Sequence, residues 1–535
     1  MACHFRVAGN ISSSDKQGFD RRWNAPNLYI VYLPTTADEV LYAMRQIVDE
    51  GIFNQDEVQI TCGRHCYEGF VYNEKTKVII DVTGLKGFGI DPKRGYYIDV
   101  GYGNWDMYRL FNNMYGRTIP AGSCYSVGLG GHITGGGYGF LSRFLGLSID
   151  YVTGVDIVAF PGGKPELIQC DVSAPETAEL LWAVRGGGGG NFGIITRYYF
   201  ADPPRAPDDI YLSTINLKWD SLTPTQFQDI LNLFSTYECS QDPDTWKQHN
   251  ILHVFHKSAP NGIVLSSFAC YDQIIHGDRS AFEAKLNADI LAREDRYKGV
   301  APISHDPVPR IGHPWVDDGR VFTPTNNLPY RRYTYLEGMQ ALSGSGPNRY
   351  GKYKSAYMKR AVPSEQGMAM YQFMTSNDFP GSDLSASLFQ IDSYGGRINS
   401  VASNASAIPQ RSSIMKIQYQ TYWFEDSDEG ANSALAQANM SWLKTMYARI
   451  YSGYGGTPDP VEDRTGTVDG CYFNYCDTDL GVNNGPHTPY ANINKAMSLY
   501  FGENYLGGSS FSLLGAKKNW NPSDWFRSAQ SIPVA

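Results

Sequence analysis

No stretch of the 535-residue chain approaches the roughly 18 to 20 consecutive apolar residues that cross a bilayer. The opening MACHFRVAGNISSSDKQGF has no apolar core of the signal-peptide kind. The chain therefore reads as cytoplasmic, or as an already processed form, with no membrane partner. Cysteine is scarce: there are nine, an odd number, and none sits in a CxxC pair, so neither a disulfide framework nor a zinc or other metal site is indicated. Basic residues number 45 against 54 acidic ones, with no basic run, and a net charge of −9 supplies no field for phosphate backbones. Nucleic acid is excluded as a partner on that ground. Internal repeats and low-complexity tracts are absent as well, and no pattern speaks to an oligomeric state.

What is abundant is glycine, 55 residues gathered in clusters, with 37 tyrosines and ten tryptophans. At roughly 100 to 200 residues per domain the length calls for two or more domains. LYIVYL (28–33), TTADEVLYAMRQIVDEG and VQITCG read as strand, helix and strand, with Thr36 and Glu39 as a capping box and Gly51 as the helix stop. Short strands follow at VIIDV, YYIDVG and GVDIVAF, with a helix around 105–114 and another through LLWAV that Ser173 and Glu176 are expected to cap. The first 200 residues or so are thus α/β, punctuated by glycine loops. ADPPRAPDD (201–209) marks a boundary. Beyond it, long strands alternate with helices, APNG (259–262) forms a hairpin turn, and a mixed, largely antiparallel sheet with helices on one face is expected. From about 461 the chain returns to glycine, tyrosine and asparagine.

Three loops bear on function: TCGRHCYEGF (61–70), PAGSCYSVGLGGHITGGGYGFLSRFLGLSIDYV (120–152) and WAVRGGGGGNFGIITRYYF (182–200). Backbone N–H groups in such loops form anion-binding nests, and missing side chains let a pyrophosphate or a flat ring lie against the main chain. A dinucleotide is the natural ligand. It is not a Rossmann site, because GLGGHI lacks the third glycine of GxGxxG and the five-glycine run follows a helix, not a strand. No Walker sequence is present.

In this order the loops resemble the FAD domain of vanillyl-alcohol-oxidase-type flavoproteins, specifically the berberine-bridge-enzyme-like oxidases with a doubly attached flavin. YFNYCDTDLG (472–481) and NWNPSDWFRSAQSIP resemble that family's C-terminal signature, and HCYEGFV, QIDSYGG and QYQTYW resemble its branch acting on sugars and glycosylated natural products. The resemblance implies an α+β, two-domain, PCMH-type FAD-binding fold. It divides the chain into an FAD-binding part (1–205), a substrate-binding domain (206–460) with a mixed antiparallel sheet and helices, and a C-terminal return to the FAD domain (461–535).

It further implies that His65 bonds the flavin 8α-methyl carbon and Cys124 the 6 position, which suits a neutral imidazole and a thiolate as nucleophiles. Cys62, Gly63, Arg64 and Cys66 surround the first attachment. Val127, Gly128, Gly130, Gly131, Gly135 and Gly136 form the second loop, Asn191 the third, and Tyr472 and Asn474 support the flavin. The family has Arg-x-Gly-Gly-His where this chain has Thr61, Cys62, Gly63, Arg64 and His65, so a side chain stands where φ > 0 is expected. Its charge would lie near the pyrophosphate.

By the same likeness Tyr475 is the base that takes the hydroxyl proton, with Tyr138 beside it to share that proton and Asp392 to assist. Alternation along SLFQIDSYGG places Gln390, Asp392 and Tyr394 on one face, and along IMKIQYQTYWF it places Gln418, Gln420 and Tyr422 together. Gln390, Asp392 and Gln420 match positions that contact sugar hydroxyls, and amides and a carboxylate complement a ring bearing many OH groups. Val127 matches a small residue that admits dioxygen, and His132 reads as structural. The implied reaction is FAD-dependent oxidation of a C–OH carbon in a small hydroxylated substrate, with O2 reduced to hydrogen peroxide. Oxidative ring closure, and flavin binding without turnover, are the alternatives.

Overall fold

A computed structural model describes residues 3–304, 328–341, 348–425, 432–482, 491–508 and 510–534; statements about structure refer to these. The helix Ala37–Glu50 starts at Thr36, whose side chain accepts from the Glu39 N–H, and ends at Gly51 in the left-handed region. It buries Val40, Ala43, Met44 and Ile47, one stripe at helical spacing, and each larger apolar side chain so buried contributes about 1.5–3 kcal/mol. The helix joins β2 to β3 in a four-stranded sheet of β1 (Phe5–Val7), β2 (Ile30–Tyr32), β3 (Val58–Thr61) and β4 (Val78–Asp81), in the order β1-β2-β4-β3. The pairs β2·β4 and β3·β4 are parallel, as a strand–helix–strand crossover requires.

A second sheet, β5 (Phe88–Asp91), β6 (Gly95–Asp99), β7 (Val152–Ala159), β8 (Glu166–Asp171) and β9 (Ile194–Phe200), runs in the order β5-β6-β9-β7-β8. The helix after β8 spans Ala178–Val184 and is not capped by Ser173. Pro175 biases the residue before it toward extended backbone, a 3-10 turn Pro175–Thr177 intervenes, and the Ser173 hydroxyl donates to Asp171 instead.

The third sheet is built from β10 (Asp209–Leu217), β11 (Gln248–Phe255), β12 (Ile263–Tyr271), β13 (Ile303–Ser304), β14 (Arg331–Thr334), β15 (Tyr350–Met358), β16 (Leu388–Ser393) and β17 (Met415–Trp423). Its order is β13-β10-β12-β11-β16-β17-β15, with β14 also pairing β10. The expected mixed sheet proves antiparallel in every pairing. The APNG turn joins β11 to β12, with Gly262 at φ 69°. Helices Ser364–Thr375 and Ala434–Ile450 pack together, the latter also against β17, and its Trp442 and Leu443 are fully buried. No helix is long and apolar enough to cross a membrane among the described residues.

Candidate active site

A cavity of about 700 Å³ lies between the glycine loops and the third sheet, toward the upper end of small-molecule and cofactor sites. Its loop wall is made by close backbone approach. A Cβ on Gly63 would stand 2.2 Å from the Gly128 nitrogen, and one on Gly128 would stand 2.3 Å from Cys62 Sγ and 2.4 Å from the Gly63 nitrogen. Gly131 would meet nothing within 4 Å, so its backbone faces open space. Gly130 packs on Val100. Cys62 also lines the cavity; it donates to the Val100 carbonyl at 3.0 Å, and burial pushes its thiol up to about 11.

His65 and Cys124 both line this cavity. The His65 Nε2 lies 2.9 Å from Ser126 Oγ and its ring stacks on Phe19 at 4.0 Å. Burial, then the charge of His132, holds its pKa down to about 3, so the imidazole is neutral and nucleophilic at physiological pH. His132 accepts from the Gly122 N–H at 2.7 Å, in line with a structural role.

Arg64 adopts φ 63°, one of three non-glycine residues with positive φ among those described. Arg64 borders the cavity, and its guanidinium is held by protein partners. It donates to Ser14 O and pairs with Asp81 at 3.1 Å and Asp15 at 3.7 Å, and those contacts offset the backbone strain of about 1 kcal/mol.

Gly135 and Gly136 do not line the cavity. A Cβ on Gly135 would strike Asn474 Oδ1, and Gly136, at φ 120°, faces Ile408 and Tyr472. Asn474 Nδ2 donates to the His132 carbonyl and to the Tyr472 hydroxyl, both at 3.0 Å, fastening the C-terminal motif to the second loop. Asn191 does the same for the third: its Oδ1 accepts from Ile532 N, and its carbonyl accepts from Lys517 and Asn521.

The sheet wall carries the polar groups. Leu388, Gln390 and Asp392 on β16 and Lys416, Gln418, Gln420 and Tyr422 on β17 face the cavity, with Gln390 opposite Gln418 and Asp392 opposite Lys416. Gln390 donates to Asp392 at 2.7 Å, and Gln420 to Gln418 at 3.3 Å. Tyr394 does not join them. The strand ends at Ser393, Gly395 turns at φ 84°, and Tyr394 lies fully buried behind Tyr138, donating to Gln410 O.

Lys416 was not singled out from the sequence, although it shares the parity of Gln418 and Gln420. Its ammonium donates to Tyr475 OH at 3.1 Å, pairs with Asp392 at 3.3 Å, and stands 3.9 Å above the Tyr138 ring. Burial lowers its pKa to about 8 against the opposing pull of Asp392. Tyr138 and Tyr475 are thus joined through this ammonium and not by a phenol–phenol bond, since Tyr138 donates to Ser393 O at 3.1 Å. Burial pushes both phenols well above their usual range. An ammonium at hydrogen-bond distance from a phenol favours its ionised form. Tyr67, stacked on Tyr353 at 3.6 Å and lying 5.8 Å from the Tyr475 ring, and His249 and His253 on alternate positions of β11, also border the cavity.

The FAD binding domain family matches residues 29–167, and the berberine and berberine like family residues 471–533. Hexose oxidase of Chondrus crispus is 37% identical over 548 residues, covering 97% of this chain and 93% of that protein. The chain belongs to the berberine-bridge-enzyme-like FAD oxidases. Within this family, aclacinomycin-N/aclacinomycin-A oxidase of Streptomyces galilaeus is 30% identical, over 96% of this chain and 87% of its own. The crystal structure of glycopeptide hexose oxidase DBV29 complexed with teicoplanin superposes with a TM-score of 0.81 at 26% identity, over 99% of both chains. FAD is accordingly the cofactor of this family member and oxidation its chemistry. The glycine-lined backbone and the neutral imidazole and thiol sharing one cavity fit that cofactor.

Proposed function

We propose that the protein oxidises a C–OH carbon of a sugar, as a hemiacetal or as part of a glycosylated natural product, and that its FAD is held covalently through His65 and Cys124. FAD held there would supply a two-electron acceptor that dioxygen can reoxidise, releasing hydrogen peroxide. The observation that carries the proposal is the Lys416 ammonium between Tyr475 OH and Asp392, on the same wall as three glutamines. Tyr475 takes the substrate hydroxyl proton as a phenolate, whose charge Lys416 stabilises before the transfer; Asp392 holds Lys416, and the Tyr138 ring faces the ammonium. Gln390, Gln418 and Gln420 present amide donors and acceptors to the remaining hydroxyls and set the ring's orientation. Val127, on the second loop, leaves room for dioxygen.

A panel of hexoses and glycosides, assayed for peroxide and analysed by mass spectrometry, tests this reading. Loss of two hydrogens with peroxide release supports it; ring closure of the product would replace it with the cyclising chemistry. Yellow colour that survives acid precipitation, with flavin on peptides containing His65 and Cys124, tests the attachment. Tyr475→Phe is expected to keep the flavin and slow its anaerobic reduction by substrate by about 10²–10⁴-fold.

A further inference from the structure

Two thiols at this cavity have no part in the chemistry above. Cys66 follows the proposed flavin-attaching histidine, Cys476 follows the proposed base, and their sulfurs lie 4.0 Å apart although 410 residues separate them in sequence. The approach is built by a buried clamp. Lys352 donates to Glu68 Oε1 and pairs with Asp477 at 2.8 Å, Lys354 pairs with Asp477 at 2.7 Å, and Thr478 N donates to Glu68. Glu68 and Asp477 are the second residue after one cysteine and the first after the other, so one ammonium holds both thiol-bearing segments. Lys352, Glu68 and Asp477 are nearly inaccessible, where breaking an ion pair is strongly unfavourable.

We propose that Cys66 and Cys476 are a peroxide-responsive dithiol, oxidised to a disulfide that staples the loop carrying His65 to the turn carrying Tyr475. The oxidant is hydrogen peroxide, so its supply from within the protein rests on the oxidase reading. In the first step the Cys66 sulfur attacks peroxide, the O–O bond breaks, and a sulfenic acid and hydroxide form. In the second the Cys476 sulfur, giving up its proton, attacks Cys66 Sγ and displaces hydroxide, which leaves as water. In sum two thiols and one peroxide become one disulfide and two waters. The roles follow from access: Cys66 is the more exposed of the two sulfurs, and with Cys476 as donor in their contact the Cys66 pKa is lowered, helped by backbone N–H groups of Glu68 and Phe70, while the Cys476 thiol is pushed up. Cys66 is thus the thiolate and Cys476 the resolving thiol.

The test exposes flavin-loaded protein to stoichiometric steps of reagent peroxide, blocks remaining thiols with iodoacetamide, and maps peptides by mass spectrometry without reduction. The expected product joins the Cys66 and Cys476 peptides, two hydrogens lighter than their sum, and disappears with dithiothreitol. Cys476→Ser is expected to lose the cross-link and to leave Cys66 as a sulfenic acid trapped by dimedone; the wild-type map stands without this variant. Both cysteines recovered alkylated, or Cys66 driven to sulfinic acid beside an alkylated Cys476, would overturn the proposal. A parallel sample turning over sugar in air, with and without catalase, separates the two readings. Peroxide without cross-link refutes the dithiol, whereas a cross-link from reagent peroxide without peroxide in turnover upholds it and refutes the reading as an oxidase of that sugar.

Discussion

Gly63 and Gly128 approach so closely that neither tolerates a Cβ, whereas Gln390, Gln418, Gln420 and Lys416 extend from neighbouring strands into the same cavity. One wall recognises by what has been removed from the backbone, the other by what has been added to it. The loop wall suits a large planar group that every member of the family must hold. The sheet wall suits a smaller ligand whose hydroxyls can be read one at a time. Changes on the first are therefore expected to act on cofactor retention, and changes on the second on substrate alone.

The sharpest way to break this division is Gly128→Val. Its side chain would need the space of Cys62 Sγ and the Gly63 nitrogen, so the purified variant is expected to be colourless, with the visible absorbance of flavin abolished. Next is Lys416→Met, expected to retain flavin but to reduce it about 10²-fold more slowly. Lys416 loses its proton near pH 8. Its ammonium, and with it the stabilisation of the Tyr475 phenolate, is therefore present below that pH and lost above it. Anaerobic flavin reduction should fall as pH rises through about 8 in the wild type, and that falling limb should be absent in Lys416→Met, which lacks the cation at every pH. Stopped-flow traces across pH decide both points.

Gln390→Ala or Gln420→Ala should raise KM for a hexose by about tenfold or less, the worth of a hydrogen bond or two, with the flavin spectrum unchanged; a colourless product would dissolve the distinction between walls. The smallest effect is expected from Arg64→Gly. Relief at φ 63° and loss of the Asp81 and Asp15 contacts oppose each other within about 1 kcal/mol, so Tm and flavin content should barely move.

The same contrast governs how much was legible in the sequence. Glycine loops betray a close backbone approach directly, and Thr36, Gly51 and the APNG turn carry local signals that the chain obeys. The alternation along β17 was also visible, and extending it two residues back from Gln418 finds Lys416. Tyr394 breaks the rule that found its neighbours because the strand stops one residue earlier and two glycines redirect the chain. The Ser173 cap failed for a comparable reason, with Pro175 delaying the helix. His249, His253 and Tyr67 carry no motif of their own; strand pairing between distant segments brings them to the cavity.

Asn191 sits in the five-glycine loop, yet its partners are Lys517, Asn521 and Ile532. During synthesis the nitrogenous floor of the dinucleotide cradle thus stays unfastened until some 340 further residues have emerged. Flavin capture is on this account among the last events of biogenesis, and a ribosome-bound chain halted before residue 517 should remain unpigmented.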